Sequence, residues 1–112
     1  MVDTILRFFL PADELLVRRV KKQRYKSVSV YGTGEVGMAV VDLLQRDNIH
    51  LEHWYDSKIT HEGSHFLGIP ITPFSRLKND ESDAVIVASE SFTAQIHQVI
   101  ESNLYRGAII KL

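Results

Sequence analysis

The 112-residue chain contains no cysteine, which excludes a disulfide framework and any thiolate metal site. Proline is scarce, at three residues, so little interrupts regular elements. Long apolar runs are missing as well. The first, "ILRFFL" (5–10), is broken by Arg7. It is too short for a membrane span and lacks the basic start and small-residue cleavage site of a signal peptide. Repeats and low-complexity tracts are absent. These absences fit a soluble protein in a reducing compartment, and the expected location is cytoplasmic. What is present, 45% hydrophobic and 24% charged residues, is the composition of a globular chain long enough for one domain with its own core.

A dominant charge sign is also lacking, but the net charge of −1 hides an asymmetry. Residues 1–26 carry seven Lys/Arg against three Asp/Glu, and residues 27–112 carry six against eleven. The stretch "RRVKKQRYK" (18–26) has six basic residues in nine. Such a run can meet a phosphate-rich partner or an anionic surface, and it can equally be a solvated helix face. The acidic remainder argues against a dedicated nucleic-acid-binding domain, so neither nucleic acid nor a membrane span is expected. Pro11 opens an expected helix over residues 12–24. Asp13 and Glu14 stand at its positive end and the basic run at its negative end. Leu15, Leu16 and Val20 form its apolar stripe. Residues 1–26 therefore read as an appended amphipathic helix, packed on the main body or on another subunit of a homo-oligomer or a partner.

From Ser27 the pattern becomes strand and helix in alternation. "SVSVY" (27–31) reads as a strand, and Glu35 to Arg46 as a helix with Val36, Val40, Leu43 and Leu44 on one face. "IHLEHWYD" (49–56) alternates as a second strand. The loop "SKITHEGSHFL" (57–67) leads to a short extended "GIPIT" (68–72) and a brief helical stretch over 73–79. The apolar residues of "DAVIVAS" (83–89) run almost unbroken, as in a strand buried on both faces. "SFTAQIHQVIESN" (91–103) follows as a helix with Phe92, Ile96, Val99 and Ile100 inward, and "GAIIKL" (107–112) as a last strand. Alternation of this kind implies right-handed βαβ units. The expected fold is α/β: a three-layer Rossmann-like domain over 27–112 with a mostly parallel sheet of about five strands, plus the N-terminal amphipathic helix.

Three of the six glycines fall in "VYGTGEVG" (30–37), which follows the first strand and opens the first helix of the parallel unit. That is the context of a phosphate-binding Gly-x-Gly-x-x-Gly turn. Gly32 allows the tight turn, Gly34 lets a pyrophosphate approach the backbone, and Gly37 lets the helix pack close to the strand. Unpaired N–H groups of the first helical turn, from Glu35 and Val36 onward, then face the phosphate. Glu35 cuts the other way, because a carboxylate there competes with an incoming anion. Asp56, nineteen residues after Gly37 and followed by Ser57, stands where an acid accepts hydrogen bonds from an unphosphorylated ribose. The architectural alternative is a turn of this shape that holds no ligand.

Ala88, Ser89 and Ser91 fall at the carboxyl end of the apolar strand, where open α/β sheets bind ligands. The two serines can equally cap the next helix. His50 and His53, three apart on a strand, point to opposite faces, and His61 and His65 flank Gly63 without a cysteine nearby, so no metal site is expected. A Tyr-x-x-x-Lys pair is absent, since Tyr55 and Lys58 have the wrong spacing. No nucleophile, base and orienting group come together, so no catalytic residue is assigned.

From Ser27 onward the order of these features resembles small Rossmann domains of bacterial surface-polysaccharide biosynthesis. The likeness is carried by "VYGTGEVG", the acid in "YDS", "GIPI" before a short helix, and "DAVIVAS" before a helix and strand. It is similar to the nucleotide-binding region of the polysaccharide-biosynthesis sugar-nucleotide dehydratase/epimerase family. It also resembles the N-terminal domain of sugar acetyltransferases with a left-handed β-helix. The resemblance implies a domain that binds a nucleotide, as NAD or a nucleotide-sugar, with chemistry residing in a following domain. It implies that Gly32, Thr33, Gly34 and Gly37 hold phosphate and that Asp56 contacts ribose or base. An accessory module or part of a larger enzyme is the expected role. An interaction domain with a vestigial nucleotide fold, or an enzyme subunit completed by a partner, are the alternatives.

Overall fold

A computed structural model describes residues 10–88, 93–102 and 105–112. Most of the run at 5–10, together with Ser89, Ser91 and Phe92, lies outside the described residues. The order is α1 (Ala12–Lys22), β1 (Ser27–Tyr31), α2 (Glu35–Arg46), β2 (His50–Asp56), β3 (His65–Phe66), β4 (Ile69–Pro70), β5 (Thr72–Pro73), a 3-10 helix (Phe74–Asn79), β6 (Ala84–Val87), α3 (Thr93–Ser102) and β7 (Ala108–Ile110).

Five strands form one sheet in the order β5-β2-β1-β6-β7, and every pairing in it is parallel. The chain lays strands outward from β1 on one side, then crosses over and lays β6 and β7 on the other. The switch point of this open sheet therefore lies between β1 and β6, where ligand crevices form.

Alternation along the central strands divides the core into two layers. Val28 and Val30 of β1, with Ala84 and Ile86 of β6, join a buried cluster with Val40, Val41 and Leu44 of α2. On the other face Val85, Val87 and Tyr55 pack with Leu77 of the 3-10 helix and Ile100 of α3. The fold is thus a three-layer α/β Rossmann-like domain, as the alternation of strand and helix predicts.

Helix α1 belongs to the first layer. Leu16, Val17 and Val20 lie in the same cluster as β1 and β6, and Leu15 is also buried. Its apolar stripe is therefore used within the chain, against α2 and β7. Part of its basic face is used as well: Lys21 pairs with Asp47 at 2.7 Å, and an Arg19 guanidinium N–H donates to the Lys111 carbonyl. No described helix is long and apolar enough to cross a membrane.

Three details depart from the sequence reading. The loop expected over 57–67 contains strand β3, which pairs antiparallel with β4. Leu67 and Gly68, both with positive φ, make a two-residue turn of the kind that suits hairpin twist. Because Leu takes a position that usually carries Gly, Asn or Asp, the turn signal is hidden. The buried face of α2 is Gly37, Val40, Val41 and Leu44, with Val36 and Leu43 only partly covered. Val99 of α3, expected inside, is 43% exposed, so the buried edge of that helix is narrower than its run of apolar residues suggests.

A buried polar network ties the second layer together. Asp80 accepts hydrogen bonds from Ser29 Oγ at 2.5 Å and Tyr55 OH at 2.6 Å on one carboxylate oxygen, and from the Ser82 N–H at 2.7 Å on the other. Burial alone raises a carboxyl pKa, but here the donors outweigh it and hold Asp80 below the usual carboxylate value. The same burial, together with the bond to Asp80, pushes the Tyr55 phenol up, so it remains a neutral donor. The Tyr55 phenol therefore serves the core of the second layer.

Candidate functional site

At the carboxyl ends of β1, β2 and β6 lies an open cleft of about 580 Å3, within the roughly 300–1,000 Å3 of small-molecule sites. The glycine turn forms one wall: Gly32, Thr33, Gly34, Glu35 and Val36 all line it. Asp56 and Ser57 enter from the end of β2, and Ala88 from the end of β6. The structure thus brings together eight of the residues singled out from sequence. Tyr31 and Ile96 also line the cleft, and sequence reasoning missed them. Tyr31 had a signal, being the last residue of β1 directly before the turn. Ile96 had none beyond its place on α3.

The three glycines of the turn have three different physical situations. Gly32 has φ +117°, and an added Cβ would stand 2.9 Å from the Ala88 carbonyl oxygen, so conformation and space both demand glycine. Gly37 is buried and does not line the cleft. A Cβ there would collide with the Gly32 carbonyl, so its role is the close packing of α2 on the turn. Gly34 is different. Its backbone is extended, with φ −76° and ψ −167°, a conformation open to any residue. A Cβ built on it meets nothing within 4 Å. The fold does not need glycine at this position, which opens directly on the cleft.

Two hydrogen bonds fix the turn from below. The Gly32 N–H donates to the Tyr55 carbonyl at 2.9 Å. The Gly32 carbonyl accepts the indole N–H of buried Trp54 at 2.6 Å. Trp54 reaches it because β2 carries an irregularity against β1: Val28 pairs with Leu51, but Val30 pairs with Trp54. An extra residue on β2 shifts the alternation, as in a bulge. Trp54 thereby turns to the α2 layer while Tyr55 turns to the opposite one.

Asp56 is held in a defined orientation. The Thr33 hydroxyl donates to Asp56 Oδ2 at 2.6 Å, and the Lys58 N–H donates to Oδ1 at 2.8 Å. Each carboxylate oxygen retains a lone pair for a further donor. Helix α2 begins at Glu35 with Gly34 as N-cap, and no side chain caps it. Its first N–H groups and the positive end of its dipole are thus left at the cleft. The arrangement offers backbone donors at one end and an oriented acceptor at the other.

Metal chemistry finds no grouping: among the described residues no three His, Asp or Glu are placed to share an ion. His53 Nδ1 lies 3.1 Å from Thr72 Oγ1, and His50 lies 3.1 Å from Glu52. A family model described as C2185-like, N-terminal, matches residues 24–109, which takes in the glycine turn and begins after α1. No curated protein matches the chain.

Proposed function

The chain belongs to the C2185-like N-terminal family, and from that premise we propose that it is a nucleotide-binding module for NAD or a nucleotide-sugar. In this reading it serves as an accessory domain or as part of a larger enzyme of sugar-nucleotide metabolism. The observation that carries the reading is Gly34. Conformation and packing account for Gly32 and Gly37, but neither accounts for Gly34. The space left by its missing side chain adjoins the uncapped start of α2 in the cleft, where a pyrophosphate can approach the backbone. The acceptor that a ribose requires, Asp56, stands across the same cleft with its carboxylate already oriented by Thr33. The likeness to domains of polysaccharide biosynthesis supports a nucleotide-sugar beside NAD, and the description of the family as N-terminal supports a modular role.

Titration calorimetry and thermal melting with NAD, NADP, coenzyme A and UDP-glucose test the proposal. One ligand is expected to bind saturably and to stabilise the protein by about 2.7 kcal/mol at one hundred times its Kd. Asp56→Ala is expected to weaken that ligand roughly tenfold or more, the loss of a hydrogen bond to a charged acceptor. Absence of binding by all four ligands would contradict the reading.

A further inference from the structure

The electrostatics of the cleft restrict the ligand further. Its described lining includes two carboxylates, Glu35 and Asp56, and no lysine or arginine. Within the described lining, compensation for a phosphate therefore comes from backbone N–H groups and the dipole of α2, equivalent to about half a positive charge. Glu35 stands in that same first turn, exposed and next to Gly34. Asp56 is directed by Thr33 and Lys58, whereas the Glu35 side chain has no ionic partner among the described residues. Its charge acts on whatever occupies the cleft.

A phosphate inside a pyrophosphate diester carries one negative charge. A terminal phosphate carries close to two at neutral pH. Helix-end donors can accommodate the first, but the second brings an additional charge toward a carboxylate. At about 6 Å and an effective dielectric near 40, that additional charge changes affinity roughly tenfold. We propose that Glu35 is a specificity residue that admits pyrophosphate diesters, whether dinucleotides or nucleotide-sugars, and rejects nucleotides ending in a free phosphate. This inference rests on the nucleotide-binding reading of the cleft.

The test measures binding of two matched pairs without divalent metal: UDP-glucose against UDP, and NAD against ADP. Parent protein and Glu35→Gln are compared at low and high ionic strength. In the parent the better-bound diester is expected to exceed its partner by roughly tenfold or more at low salt. Glu35→Gln should narrow the ratio mainly by strengthening UDP or ADP, and added salt should narrow it in the parent. A preference due only to contacts with the sugar or nicotinamide would survive both changes and overturn the role of Glu35. Equal binding of diester and terminal phosphate by the parent would also overturn it, while leaving nucleotide binding intact. No binding of any of the four, by either protein, removes both the selector and the reading beneath it.

Discussion

Alanine in place of Gly37 is expected to cost about 3 kcal/mol of stability, seen as a Tm roughly 15 °C lower. The added methyl would run into the Gly32 carbonyl, and that carbonyl has nowhere cheap to go. It accepts the Trp54 indole N–H, and the Gly32 N–H is held by the Tyr55 carbonyl. Displacing the turn breaks buried hydrogen bonds at about 1–3 kcal/mol for each group left unpaired. Alanine gains about 1 kcal/mol over glycine within a helix, too little to offset the collision. Thermal and urea melts check the result. A Gly37→Ala protein melting within about 2 °C of the parent would contradict the close approach of α2 to the turn.

Asp80→Ala is expected to be at least as damaging, at about 4 kcal/mol. Three donors converge on this one buried carboxylate, from Ser29, Tyr55 and Ser82, and each would lose its acceptor at roughly 1–3 kcal/mol. A domain with about 5–15 kcal/mol in all cannot absorb much more. Asp80→Asn keeps the shape and one acceptor oxygen, and is expected to fall between. The pH dependence follows from the depressed carboxyl pKa of Asp80. A lowered native pKa means that the unfolded chain binds the proton first. The contribution of Asp80 is therefore complete above the unfolded pKa of about 3.9 and disappears as pH falls through the lower native value. Urea melts from neutral to acid pH should show the stability gap between parent and Asp80→Asn closing at the acid end. A gap independent of pH would contradict a charged Asp80 in the native core.

Much of this architecture was legible because a parallel strand buried on two faces writes a short, nearly unbroken apolar run, as in "DAVIVAS", and helices write a different period. The glycine turn was legible because its chemistry is local: strand, turn and helix follow one another within eight residues. Asp56 was legible through its distance in sequence from that turn. Contacts between distant segments left no such mark. Nothing adjacent to Trp54 announces that it reaches the Gly32 carbonyl, since that bond depends on an irregularity of β2 against β1. Asp80 falls between the expected helical stretch and the apolar strand, with no sequence signal that the fold brings it to Ser29 and Tyr55. The β3–β4 hairpin is concealed by Leu67 in a left-handed conformation, where sequence rules look for a residue without a bulky side chain.

The separate roles of the three glycines come to a test at Gly34. Gly34→Gln fills the space beside the start of α2 with a neutral side chain, in a backbone conformation that any residue adopts. Its stability is expected to remain within about 1 kcal/mol of the parent, since only the weak N-cap preference of glycine is lost. Calorimetric titration of both proteins with the nucleotide that the parent binds is the direct measurement. Binding lost at Gly34→Gln, with the melting curve nearly unchanged, is the predicted result, and it makes that missing side chain the ligand's space. Undiminished binding at Gly34→Gln, or a parent that binds no nucleotide, would contradict it.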